Sequence, residues 1–366
     1  MRHWLLALSM ILPFAAVGAD FAPVVPEHAI DYPRDTGAHP AFRTEWWYAT
    51  GWLDTPDRQP LGFQITFFRS KTGKGAENPS AFAPAQLVIA HVALSDPAYG
   101  RLVHDQKIAR EGLGLAWARP GNTDVKLEAW TMLRGTDGRY AVNVDAAGFA
   151  LHLTLAPTQA PLIQGERGYS QKGPRPEQAS YYYSEPHLQV SGSVTRPAAS
   201  DTAKGATVDV TGSAWLDHEW SSTLLSDDAS GWDWLGANLA DGAALMAFKV
   251  RGRDGRAVWA HAALRERDGR TTQYGPGDVD FTPQRQWRSP RTDTTYPVAM
   301  TVRAGPWQWR LTPLIDDQEL DSRDSTGALY WEGAVTLNGI GQNAQGKGRG
   351  YLELTGYAKA VEMEKR

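Results

Sequence analysis

Asp217, His218 and Trp220 fall within Trp215-Leu-Asp-His-Glu-Trp220, and Asp233 follows between Trp232 and Trp234. A carboxyl or imidazole set among indoles suits acid-catalysed addition to a carbon–carbon double bond. Such a reaction needs a proton donor in a dry site and something to steady the carbocation. His218 as imidazolium, or Asp217 or Asp233 with a pKa raised by burial, would supply the proton. Indole faces would steady the cation, an interaction of about 2 kcal/mol or more once desolvated. Water then completes a hydration, or loss of a proton completes an isomerisation. On an extended strand side chains alternate, so His218 and Trp220 share one face while Asp217 and Glu219 share the other. Asp233 is expected to approach the same centre from the next segment. Trp220, Trp232, Trp234, Trp47, Tyr48 and Tyr182 are the candidate walls of an apolar ligand site.

Other chemistries have less support. The chain has no cysteine, so disulfides, thiolate catalysis and Cys-based metal centres are excluded. No His-x-His or His-Glu-x-x-His spacing occurs, and adjacent strand residues point apart, so no metal and no cofactor are expected. No Gly-x-Ser-x-Gly elbow supports an esterase triad. Gly165–Gly173 (GERGYSQKG) has the composition of a phosphate loop without its spacing and reads as a mobile loop over the first domain. With 37 Lys+Arg against 41 Asp+Glu, a net charge of −4, the chain lacks the basic footprint of a nucleic-acid protein.

The elements that must carry these residues are strands. Gly (36) and Pro (23) run above average in 366 residues, beside 15 Trp and 13 Tyr. Short alternating runs such as 62–68, 87–94, 149–155, 243–250 and 351–355 recur between turn pairs like Asp137-Gly138 and Asp241-Gly242. The N-terminus opens with Arg2 and His3, an apolar run over 4–16, and small residues ending at Ala19. That pattern is a secretory signal, and it predicts an exported, periplasmic or secreted protein.

The two halves repeat in order. Glu45-Trp46 aligns with Glu219-Trp220 and Trp47 with Trp234. Arg69 aligns with Arg251, His91 with His261, 153–157 with 309–313, and 208–212 with 352–356. A period of 150–175 residues is too long for a solenoid and suits two copies of one domain. An antiparallel sheet of about eight strands closes most readily into a barrel, which removes its edges. The expectation is all-β: residues 1–19 as signal, 20–39 extended, 40–214 as barrel one and 215–366 as barrel two. A pair of sandwiches is the fold alternative. Residues present in both halves are expected to be architectural, which leaves Asp217 and His218 as unpaired candidates at the junction.

The motifs Glu45–Tyr48 (EWWY), Ser180–Ser184 (SYYYS), Trp215–Trp220 (WLDHEW), Gly231–Trp234 (GWDW), Tyr330–Gly333 (YWEG) and Gly350–Tyr357 (GYLELTGY) resemble the bacterial AttH proteins, which group with carotenoid hydratases. The resemblance implies two lipocalin-like domains and an isoprenoid or lipid ligand. Relatives in that group include hydratases of carbon–carbon double bonds and fungal pericyclases. In the hydratases the Asp-His-x-Trp segment is the one tied to catalysis, which falls here on Asp217, His218 and Trp220. Three functions remain open: a carrier for a hydrophobic small molecule, an enzyme acting on an alkene of such a molecule, and a carbohydrate-active hydrolase. Contact with a membrane or an export system, and the oligomeric state, also stay open.

Overall fold

The computed structural model describes residues 21–74, 80, 82–198, 200, 202–341 and 346–361. The expected signal segment 1–19 lies outside them. Apart from one short 3-10 turn at Arg34–Thr36, the regular elements are antiparallel strands in two sheets. The first sheet contains β1 (Thr44–Asp54), β2 (Pro60–Lys71), β3 (Gln86–Ser95), β4 (Leu102–Arg110), β5 (Ala116–Ala118), β6 (Asp124–Leu127) and β7 (Trp130–Arg134). It continues with β8 (Tyr140–Asp145), β9 (Ala150–Ala156), β10 (Leu162–Ile163), β11 (Tyr169–Gln171), β12 (Ala179–Pro197) and β13 (Lys204–Thr223). The second contains β14 (Ala229–Leu239), β15 (Ala244–Gly252), β16 (Ala257–Arg265), β17 (Thr271–Tyr274) and β18 (Val279–Arg288). Then come β19 (Thr295–Ala304), β20 (Trp307–Pro313), β21 (Glu319–Ser322), β22 (Ala328–Gly339) and β23 (Lys347–Thr355).

Both sheets follow one plan. The opening strand of each, β1 or β14, lies between its successor and the last strand of its own sheet, β13 or β23. Each sheet curls around a filled core. Trp47, Phe63, Phe67, Trp130 and Phe149 pack inside the first, and Phe281, Tyr296, Trp309 and Trp331 inside the second. The Gly112–Ala116 bridge draws β5 back toward the end of β4, so the first sheet nearly closes. The molecule is therefore two tandem antiparallel barrels, the second the more open.

Hydrogen-bond register corrects how the repeat aligns. Arg69 and Arg251 are equivalent, as are His91 and His261: Thr66 faces His91 across one ladder and Phe248 faces His261 across the other. Carried along the ladders, this matches Trp46 with Trp232, Trp47 with Asp233 and Tyr48 with Trp234. It also matches Asp217 with Glu353, His218 with Leu354, Ser184 with Glu332 and Tyr182 with Tyr330. The expected pairing of Glu45-Trp46 with Glu219-Trp220 is not a barrel-to-barrel match. Glu45 opposes Trp220 and Trp46 opposes Glu219 on neighbouring strands of one sheet. The segment 352–355 matches 216–219, not 208–211.

The expected join at 214/215 also moves. β13 runs unbroken through Thr223, paired with β12 along its length and with β1 over Thr211–Ser221, so residues 215–223 belong to the first barrel. A strand with two hydrogen-bonded neighbours is not a linker.

Candidate functional site between the barrels

Strand alternation sorts the sequence-derived candidates into three places. Trp47, His218 and Trp220 point into the first barrel, Asp233 points into the second, and Tyr48, Tyr182, Asp217, Trp232 and Trp234 point into the layer between the two. The expected single cluster is therefore divided.

His218 is fully buried. Its Nε2 lies 2.8 Å from Glu45 Oε1 and its Nδ1 3.2 Å from the Tyr183 hydroxyl. Glu45 also accepts from Arg69 Nε at 2.9 Å and from the His39 backbone N–H at 2.8 Å, so it is a carboxylate. A carboxylate only accepts, so Nε2 of His218 carries the hydrogen and Nδ1 takes the Tyr183 O–H. Burial lowers the His218 pKa to about 4. The imidazolium donor expected from the sequence is thus corrected to a neutral ring with both nitrogens engaged. Trp47 stacks on it at 4.6 Å and Trp220 on His39 at 3.8 Å. The ligand-type atoms of His39, Glu45 and His218 do lie within 4.8 Å of one another, a grouping invisible in linear spacing. Each of them is already engaged by a neighbour, and the Arg69 guanidinium on the same carboxylate opposes a second cation. This network joins the segment around His39 to the end of the barrel.

Asp233 is equally buried but tied to ions. Arg251 Nε donates to it at 3.0 Å, Tyr357 O–H at 2.9 Å, and Lys249 lies 3.7 Å away. It holds the second barrel's inner wall, on the opposite face of β14 from Trp232 and Trp234. An approach toward Asp217 is therefore corrected: the odd position faces inward.

Asp217 has the surroundings a proton donor needs. It is 3% exposed and accepts from Ser184 Oγ (2.6 Å), Trp215 Nε1 (2.6 Å) and the Tyr182 hydroxyl (2.7 Å). Trp234 Nε1 donates in turn to that phenol at 3.2 Å, linking the acid to the second barrel. Burial pushes its pKa up to about 7, against the three donors. Beside it lies a residue the sequence reading passed over. Lys172, in the loop expected to be mobile, is 6% exposed, 3.0 Å from Glu219 and over the rings of Tyr182 (4.5 Å) and Phe248 (4.3 Å). β11 pairs with β12 and anchors that loop.

The second barrel contributes Glu332 and Glu353, cross-strand partners on the layer face of β22 and β23. Glu332 is 2% exposed, and Glu353, partly exposed, accepts from Trp232 Nε1 at 3.0 Å and Thr355 Oγ1 at 2.8 Å. Burial and the neighbouring Glu353 charge raise Glu332 well above the usual range, and desolvation raises Glu353 to about 7. Neither stands out in the sequence, where a polar residue with a counterpart in the other half reads as architectural. The register shows that Glu353 is the counterpart of Asp217.

An open cleft of about 650 Å³ enters this layer between β1, β13 and β14, β22, β23. Trp52, Trp215, Tyr351, Thr50, Asn238 and Gly236 line it, and the buried Thr50 hydroxyl has no hydrogen-bond partner. A Cβ on Gly236 would come within 2.5 Å of Trp234 and 3.0 Å of Trp215, so glycine lets the two indoles meet there. Asp217 sits one hydrogen bond behind the cleft, screened by Trp215. Apolar walls with a few converging polar groups are what a small-molecule site requires.

The AttH-like family profile matches residues 23–357. This chain belongs to the AttH-like family. A crystal structure assigned as an AttH protein from Nitrosomonas europaea is 57% identical, covering 92% of this chain and 100% of that one, with a TM-score of 0.84. The fold extends to kievitone hydratase from Nectria haematococca, at 14% identity and a TM-score of 0.69, covering 90% of this chain and 94% of that one. It extends also to CghA with Sch210972, at 15% identity and a TM-score of 0.54, covering 93% and 98%. None of the curated proteins matches this AttH-like chain.

Proposed function

We propose that this AttH-like protein holds an isoprenoid- or lipid-like molecule between its barrels and protonates one of its carbon–carbon double bonds. The product is then a hydrated or isomerised ligand. One observation carries the reading: Asp217, a buried carboxyl with its pKa raised to about 7, stands among indoles and phenols directly behind an apolar cleft. At neutral pH such a group exists in appreciable part as the acid, and aromatic faces beside it lower the energy of a cation formed there. Kievitone hydratase shares the fold, so this architecture is compatible with hydration chemistry. Export to the periplasm or medium is part of the same proposal.

A carrier without turnover is the second reading, favoured by the three donors that already satisfy the Asp217 carboxyl. Purified protein is mixed with all-trans-geranylgeraniol in H₂¹⁸O, and product is analysed by mass spectrometry beside quenching of Trp fluorescence. The enzyme reading expects quenching and labelled alcohol from wild type, with Asp217→Asn binding but losing about 10²–10⁴-fold in turnover. Quenching with no product favours the carrier. Quenching by cellohexaose and not by the prenyl alcohol overturns both.

A further inference from the structure

We infer that Tyr48, Glu332 and Glu353 form a water-activating site opposite Asp217, so that the layer holds an acid on one barrel and a base on the other. This rests on the proposed alkene chemistry and assigns the second half of it.

The geometry begins with β22 and β23, which set Glu332 and Glu353 side by side facing the first barrel. Two carboxylates that close in a low-dielectric layer do not both ionise, so the pair shares a proton and titrates as a unit. Trp232 Nε1 and Thr355 Oγ1 both donate to Glu353 and favour its ionised form against burial. Glu332 has only the Tyr48 phenol beside it as a donor, and its buried Oε1 makes no hydrogen bond of regular geometry. The Tyr48 phenol faces Glu332 closely enough to interact with its carboxyl, and the Tyr351 hydroxyl does the same with Ser95, but neither buried hydroxyl makes a hydrogen bond of regular geometry. Three buried polar atoms with unmet capacity, on residues that face one another, are the partners an ordered water requires. Tyr48 is also the direct ladder partner of Asp217, which places the two functions on adjoining strands. Tyr351 lines the cleft, and Glu353, two residues along β23, is partly exposed.

The step balances. Once the ligand displaces the Trp215 indole that screens it, Asp217 transfers its proton to one alkene carbon and becomes a carboxylate, leaving a carbocation at the other. Water held at Tyr48 and Glu332 forms a carbon–oxygen bond to that cation. Its proton passes to the Glu332–Glu353 pair, which then carries two. Return of one proton to Asp217 through solvent restores the starting state, and no oxidant or reductant is involved.

The test separates protonation from water addition. All-trans-geranylgeraniol is incubated with protein in D₂O, and in a parallel sample in H₂¹⁸O, and both labels are read by mass spectrometry. Wild type is expected to incorporate deuterium and oxygen-18. Glu332→Gln and Glu353→Gln are expected to lose about 10²-fold in oxygen-18 while keeping deuterium exchange within about threefold, because Asp217 still delivers and retrieves a proton. Equal loss of both labels, or retention of both, overturns the inference. Asp217→Asn losing both labels is the separate check on the acid. If wild type acts on the probe in neither sample, the alkene reading fails for this ligand class. Infrared difference spectra of the two Gln variants then decide the pair alone: one carboxylic proton lost in both supports sharing, and two independent signals refute it.

Discussion

Trp215 and Asp217 stand two residues apart on one face of β13, and the indole Nε1 donates a 2.6 Å hydrogen bond to Oδ1 of the carboxyl. The same indole lines the cleft, so one side chain both tunes the acid and screens it from the cleft. The bond favours the ionised form, opposing burial. Trp215→Phe keeps the screen and removes the donor. The Asp217 pKa is then expected to rise above its present value near 7. Infrared titration of the protonated carboxyl, wild type against variant, measures the shift and its direction.

Activity should decline with rising pH. Asp217 must be protonated to act, and it loses its proton as pH passes about 7. The stability contribution has the same sign. Between the unfolded carboxyl value near 4 and the folded value near 7, the native state binds more protons at this site than the unfolded chain. Asp217 therefore costs progressively more stability as pH rises through that window, and Asp217→Asn should flatten the dependence. Urea midpoints at pH 5 and pH 8 for both proteins test it.

The opposite dependence belongs to His218. Burial holds it neutral with a pKa near 4, so the unfolded chain binds the extra proton between about pH 4 and 6.5, and stability from this group grows as pH rises. Replacement by Ala leaves the Glu45 carboxylate short of a donor and opens space beside Trp47. The expected loss is about 2–4 kcal/mol, from a hydrogen bond lost to a charged group that Arg69 still pairs and from the space left beside Trp47. Turnover per folded molecule should change by less than about threefold, which chemical denaturation and single-turnover kinetics on the same sample would separate.

These last two residues show how far the sequence alone could be read. Alternation along 215–220 correctly put Asp217 and His218 on opposite faces, because a strand's period is two and owes nothing to distant contacts. Which face met the neighbouring barrel was not written in that pattern, since apolar residues fill both sides of β13. The doubling of the fold was legible in Arg69 and Arg251 and in His91 and His261. The register was not: motif spacing drew Glu45 onto Glu219, whereas the ladders place them on adjoining strands. That shift hid Glu353 as the twin of Asp217. Lys172 lay in a Gly-rich stretch with the composition of a loop, and only its docking against Tyr182 and Phe248 reveals it as buried.

Gly236 offers a steric test of the cleft. A Cβ there meets Trp234 and Trp215 well inside contact distance, so Gly236→Ala must displace one of the indoles. We expect altered intrinsic Trp fluorescence and about tenfold weaker quenching by geranylgeraniol, with circular dichroism of the strands unchanged. Gly277→Ala lies on an open turn where nothing stands within 4 Å and the backbone is not in the left-handed region, and serves as the control for fluorescence and binding.

The central claim is that a neutral carboxylic acid sits between the barrels at working pH. The infrared difference spectrum of wild type minus Asp217→Asn, recorded from pH 5 to pH 9, addresses it directly. The account predicts a protonated-carboxyl carbonyl band at pH 6 that fades with a midpoint near 7. A spectrum showing only carboxylate from Asp217 at pH 5 and above would contradict it.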